Sequence, residues 1–292
     1  MRTEEFYWFM KKRDQIRKNK EAGKPWPWTD DPILQQYKFT NVKREHDRTT
    51  KWMRENFTGP NARPNNREET LLNCAFFRYF GTTEWAEAAG WQSLHQFAKP
   101  SHRIALKVLA RDRLKAKQRV FTGAYVITNQ GIKDKKENVV IDQFLWPFAQ
   151  KVRGLVEIID HTSSWEAVAY QMRKLHGFGG SGFMTKEVLQ DALHTPVFTN
   201  CVDRNTWCPV GPGARRGLNR VFNRDVKAKL PESAYLKEML ALFEARDFYW
   251  RDTFDVELEL HDIQFQLCEF DKYERVKHGE GRPRSKYRKE NG

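Results

Sequence analysis

Cysteine is scarce in this 292-residue chain, with only Cys74, Cys201, Cys208 and Cys268. So sparse a set excludes a disulfide scaffold and fits a reducing compartment. Cys201 and Cys208 form the only close pair, and no His follows at finger spacing, so no metal site is expected. Long apolar runs are missing too, which excludes a membrane-spanning helix. The opening MRTEEFYWFMKKRDQ lacks the apolar core and cleavage site of a secretory leader, so a cytoplasmic location is expected. No Gly-x4-Gly-Lys-Ser/Thr stretch occurs, which excludes a P-loop kinase. Negative charge is in short supply, with 38 Asp and Glu against 51 Lys and Arg and a net charge of +13. That imbalance points to a polyanionic partner.

What is present is aromatic and helical. Aromatics make up 13% of the chain, with 10 Trp and 20 Phe, enough for a packed core. Apolar periodicity predicts helices over 4–22, 40–57 and 68–80. Further helices are predicted over 139–159, 164–175, 186–193, 212–223, 232–246 and 255–273. VFTGAYVITNQG, residues 120–131, reads as a short strand or an extended loop. The fold class is therefore mainly α, with one short extended segment near 120–130. Residues 1–276 are read as a single helical domain, divisible into lobes of about 1–135 and 136–276. Residues 277–292 are read as a basic flexible tail.

LHGFGGSGFMTKEV, residues 175–188, holds the Gly-x-Gly-x-x-Gly pattern of a dinucleotide-binding turn. Such a turn must follow a strand. Here Trp165, Val168, Ala169, Met172 and Leu175 recur at helical spacing, so a helix enters the loop and another leaves it. That order is a helix-hairpin-helix, and Gly177, Gly179, Gly180, Ser181 and Gly182 are the expected DNA-phosphate contacts. Side chains added at Gly177 and Gly179 are expected to weaken DNA binding and leave the fold intact. An ordinary glycine turn between helices is the alternative.

Three other stretches concentrate polar chemistry. In FTNVKREHDRTTKWMREN, Asn41, Arg44, Glu45, Arg48 and Trp52 would share one helix face and grip a phosphate-bearing substrate, or form a solvated salt-bridged face. In VGPGARRGLNR, Pro212 suits a first helical turn, and Arg215 and Arg216 add an anion site or a basic surface. In DVELELHDIQFQLCEFDKYER, Val256, Leu260, Ile263, Leu267 and Phe270 form an apolar stripe. Asp255, Glu259, Asp262, Gln266 and Glu269 flank it, the carboxylates among them as potential bases or as a solvated acidic face. Cys268 beside them is a possible nucleophile.

Five stretches together resemble the α-glutamyl/putrescinyl-thymine pyrophosphorylase family, which includes bacteriophage amino acid:DNA transferases of thymine hypermodification. They are EAGKPWPWTDDPILQQYKFTNVKREHDRTTKWMREN, NCAFFRYFG, FTGAYVITNQG, VGPGARRGLNR and LCEFDKYER, in that order from about Phe6 to Arg275. The resemblance implies a helical fold akin to helix-hairpin-helix DNA glycosylases, without their iron–sulfur cluster. It implies displacement of pyrophosphate from 5-pyrophosphoryloxymethyl-uracil in DNA by an amine, either an amino acid such as glycine or glutamate, or putrescine. In the last helix the family's acidic pair followed by His is replaced by Asp262-Ile263-Gln264, with His261 one position before.

That chemistry needs three things. Donors must stabilise the departing pyrophosphate, with Asn41, Arg44, Arg48, Arg215, Arg216 and Lys272 as candidates. A carboxylate must take the amine's proton, the candidates being Glu269, Asp262, Asp203 and Glu45 in that order. Cys268 or Cys208 would add to C6 of the ring to assist expulsion. No cofactor beyond the amine is expected, although Mg2+ would accompany pyrophosphate. Expected partners are double-stranded DNA bearing modified thymine and other phage hypermodification enzymes. A glycosylase for a modified base and a non-enzymatic DNA-binding module are the rival readings.

Overall fold

The computed structural model describes residues 1–251, 257–283 and 285–287. Its longer helices are α1 (Thr3–Glu21), α2 (Arg67–Phe80), α3 (Pro100–Lys115), α4 (Val152–Thr162) and α5 (Trp165–Met172). They continue as α6 (Phe183–Ala192), α7 (Pro212–Val221), α8 (Glu232–Glu244) and α9 (Leu260–Lys277). No strand occurs among the described residues, so the class is mainly α. No described helix is long and apolar enough to cross a membrane. The chain forms two compact units, one from residues 1–47 and 205–292, the other from residues 48–204. Residues 135 and 136 both lie inside the second.

In the first unit the core runs along α9, where Leu260, Ile263, Leu267 and Phe270 are buried. Phe6 and Phe9 of α1 meet Phe270 edge-on and tilted at 5.6 and 5.7 Å. α7 crosses α9 closely enough that a Cβ on Gly217 would overlap the Leu267 carbonyl. Helix α7 opens on Gly211 and Pro212, as Pro at a first turn predicts. The last helix begins at Leu260, five residues later than the periodicity indicates; Asp255 and Val256 lie outside the described residues. Part of the basic tail is docked: Lys286 bridges Tyr37, with Lys38 N to Ser285 O and Tyr287 N to Gln36 O both at 3.0 Å.

The second unit is built around α6, buried on all sides from Met184 to Ala192, against α2. Caps define its helices: the Ser164 hydroxyl accepts from Ala167 N at the start of α5, and α2 stops at Gly81. Residues 120–131 form an irregular loop, not a strand.

Two expected helices are interrupted. The continuous helix over 40–57 does not form: residues 40–43 are irregular, a 3-10 turn spans Arg44–His46, and α-helix begins only at Arg48, passing into a π-helical stretch at Met53–Thr58. Asn41, Arg44 and Glu45 therefore do not share a helix face with Arg48 and Trp52. The run over 139–159 is π-helical at Val139–Leu145 and breaks at Gln150 and Lys151, before α4.

Candidate functional site

The irregular segment 39–47 in the first unit is held from both sides by buried polar side chains. Arg13 of α1 donates to Phe39 O at 2.8 Å, to Thr40 O at 3.2 Å and to Asn41 Oδ1 at 3.3 Å. From α9, Gln266 Nε2 donates to Asn41 O at 2.9 Å, and Glu269 accepts from Thr40 N at 3.3 Å. Asp262 Oδ1 accepts from Arg44 N at 3.1 Å, while its other oxygen accepts from Glu259 N at 3.0 Å and so caps its own helix. Of these groups, Thr40 O, Asn41 O and Arg44 N are ones that a helix starting at residue 40 would have bonded internally.

The segment thus brings Asn41, Arg44, Asp262, Glu269 and Lys272 into one cluster. Asp262, Gln266 and Glu269 are buried, so their stripe on α9 is not a solvated acidic face. Burial pushes the Asp262 carboxyl up from 3.8 to about 7, against the opposing pull of its backbone donors. Lys272 Nζ lies 2.5 Å from Glu269 Oε1, a charge-assisted bond. The Arg44 guanidinium lies 4.7 Å from the Phe265 ring centre and 3.6 Å from Asp47 Oδ2. Asp47 also accepts from Asn41 N at 3.0 Å, and burial raises its pKa despite the neighbouring Arg44. Buried His261 places Nε2 3.7 Å from Asp262 Oδ1. Chemically, Asp262 can exchange a proton near neutrality.

A second group lies along α7. Arg216 Nε and Arg220 Nε each bond the buried Asp271 at 2.9 Å, and Arg275 Nε stands 3.3 Å from it. Arg220 also pairs with Glu280, so three guanidiniums face two carboxylates with one positive charge in excess, and the Arg216 side chain is 41% exposed. Arg215 donates to Val210 O at 2.7 Å. Gly213 and Cys268 touch across α7 and α9: a Cβ on the glycine would stand 2.9 Å from the sulfur. Cys208 is buried.

In the second unit the glycine turn joins α5 to α6 as the helical periodicity predicts. Gly177 adopts φ +91°, and a Cβ there would lie 2.5 Å from Tyr79 Oη and 2.6 Å from the Phe144 ring. A Cβ on Gly179 would stand 2.8 Å from the Arg173 carbonyl oxygen. The expectation that side chains at these two positions leave the fold intact is therefore corrected: both glycines are required by close packing. Gly180 faces open space, Ser181 is exposed, and Gly182 caps α6 with the Arg173 guanidinium beside it. The loop 120–131 braces this turn, with Gln130 bonding both N and O of Gly177 at 3.3 and 3.4 Å.

Asp203 is committed elsewhere. It accepts from Ser164 Oγ, Trp165 N and Glu166 N at 2.6, 2.9 and 3.0 Å, fixing the start of α5. Arg48 is exposed at the start of its helix, and Glu45 lies in the 3-10 turn. The sequence reading missed Arg13, Asp47 and Asp271. It also missed Arg78, whose guanidinium grips Asp191 with NH2 to Oδ1 at 2.6 Å. Of these only Arg78, set between Phe77 and Tyr79, stands among apolar neighbours; Arg13 and Asp47 lie among charged residues, as surface positions do.

The model of the family described as "5-hmdU DNA kinase, helical domain" matches residues 1–282. A 5-hmdU DNA kinase of Bacillus phage SP10 is 28% identical over 219 residues, covering 68% of this chain. The matched stretch is 33% of that relative, so this chain corresponds to about a third of its length. No solved structure matches.

Proposed function

Because this chain belongs to the family of 5-hmdU DNA kinase helical domains, we propose that it works in phage thymine hypermodification as a DNA base-modifying transferase. The reaction displaces pyrophosphate from 5-pyrophosphoryloxymethyl-uracil with an amine. The observation that carries this reading is the buried Asp262 carboxyl, raised by burial to about 7 and held by the backbone N of Arg44. As the amine nitrogen bonds to the exocyclic carbon, the C–O bond breaks and pyrophosphate leaves with the electron pair. Asp262 takes the proton released by nitrogen. Arg44, Arg216 and Lys272 are assigned to the leaving group's charge. Glu269, held by Lys272 and Thr40 N, positions the 39–47 segment. The excess of arginine favours an amino acid over putrescine as the amine.

In this reading the helix-hairpin-helix of the second unit holds the DNA backbone. Phosphate approaches Gly180 and Ser181, ahead of the start of α6, with Arg173 adding charge. The test is incubation with DNA carrying 5-pyrophosphoryloxymethyl-uracil and individual amines, then digestion to nucleosides and mass spectrometry. An aminated nucleoside with released pyrophosphate supports transfer, and its loss in Asp262→Asn supports the base. Abasic sites would instead indicate a glycosylase. A second reading, a DNA-docking domain serving a kinase, is favoured by the match to only a third of the phage kinase; retained DNA binding with no new nucleoside supports it.

A further inference from the structure

In the first unit the docked end of the chain completes a surface of lysines and aromatic rings that the proposed chemistry does not use. Residues 285–287 lie against 36–38 through the Lys286–Tyr37 bridge. That pairing sets Tyr287 edge-on to Trp28 at 5.4 Å. Lys20 Nζ lies 4.9 Å from the Trp28 ring centre and 5.5 Å from that of Tyr287. Lys38 Nζ lies 5.4 Å from the Tyr287 centre, and Lys286 Nζ 5.3 Å from that of Tyr37. The turn beneath is fixed: Asn19 Nδ2 of α1 donates to Trp28 O at 2.9 Å, and Trp28 Nε1 donates to Lys24 O at 2.8 Å. Two residues before Trp28, the Trp26 side chain is 43% exposed. The carboxylates nearest in sequence are engaged elsewhere: Glu21 by Arg17, Asp30 by Lys12 and Asp31 by the Tyr273 hydroxyl. Lys24, Lys38 and Lys286 are exposed, and none of them is ion-paired among the described residues.

We propose that this surface holds an unpaired stretch of DNA, with a base stacked on Trp26 and phosphates against Lys24, Lys38 and Lys286. Charge complementarity selects a polyanion. The rings select a single strand: an exposed indole offers a face that an unstacked base can cover, whereas a duplex keeps its base faces against one another. Placement in the chain supports it. Tyr37 and Lys38 lead directly into the 39–47 segment, so this surface and the Asp262 cluster belong to the same unit. Extruding a nucleotide unstacks and unpairs DNA, which is the form the surface takes. The inference rests on the reading that DNA is the substrate.

The experiment titrates the full chain with three fluorescent probes: an oligothymidylate, an abasic strand of equal length, and a duplex of that length. The oligothymidylate should bind about tenfold more tightly than the abasic strand, the size of one base–aromatic stack. Trp26→Ala should bring that ratio close to one and leave duplex affinity unchanged. Lys38→Glu combined with Lys286→Glu should weaken both single strands and flatten their salt dependence. Circular dichroism checks that the variants fold; should they not, the ratio of the two single strands on the parent protein decides alone. Equal binding of those strands, a full ratio in folded Trp26→Ala, or a loss confined to the duplex overturns the assignment. Nucleoside analysis on the same protein separates the two readings. A Trp26-dependent ratio with no aminated product sinks the transfer reaction only; aminated product with a Trp26-independent ratio sinks the single-strand surface only.

Discussion

Asp262 shows how one residue couples stability to chemistry. Its folded pKa, about 7, lies above the ordinary 3.8. The native state therefore keeps a proton that the unfolded chain releases, and stability falls as pH rises from about 4 to about 7. The ceiling on that loss is on the order of 4 kcal/mol from the size of the shift. Asp262→Asn should flatten urea midpoints between pH 4 and pH 8 relative to the parent; an unchanged slope would mean that Asp262 titrates normally. If Asp262 is the base, turnover should rise through a single ionisation near pH 7 and then level. Asp191 gives a contrasting prediction. Removing it as Asp191→Ala strands the buried Arg78, at a cost of about 3–5 kcal/mol readable by urea denaturation.

Between elements, the tightest fit is α7 on α9. Gly217→Ala would drive a methyl into the Leu267 carbonyl, so the helices must part. A loss of about 1–3 kcal/mol or more is expected, seen as a lower Tm. The glycine turn separates packing from binding. Gly177→Ala meets both a positive φ and the Tyr79 and Phe144 side chains, and should lower Tm. Ser181→Glu, at an exposed position before α6, should keep Tm and weaken DNA binding by placing negative charge where phosphate is expected. Equal DNA affinity in that variant would remove the turn from the interface. Helices α2, α5 and α7 were readable because Gly81, Ser164 and Pro212 mark their ends. The run over 40–57 misled because its spacing is helical, while Arg13 and Asp262 bind its first backbone groups from distant helices.

For the whole molecule, net charge sets the terms of association. With +13 and DNA as the proposed partner, affinity should fall steeply with salt. Roughly 6–10 phosphate contacts would cost about 10^3–10^5 in affinity between 50 and 200 mM salt. A fluorescence titration across that range checks it, and a flat response would exclude a phosphate-dominated interface. The two units also divide the chain in a way that linear reading obscures: the first is assembled from both ends of the sequence, and the second is a continuous insertion between them.

The sequence by itself did not indicate α3, but it determined the helical class, the ends of α1, α2, α7 and α8 to within two residues, the cationic balance and the glycine turn between two helices. These depend on local spacing, capping residues and composition, which are properties of neighbouring positions. Tertiary structure decided which charges are buried and what they face. Glu269, Asp262 and Asp203 read alike along the chain. Folding makes one a partner of lysine, one a carboxyl raised by burial, and one a helix cap. Desolvation and hydrogen bonds set those roles, and for Asp262 they involve Arg44, 218 positions away along the chain.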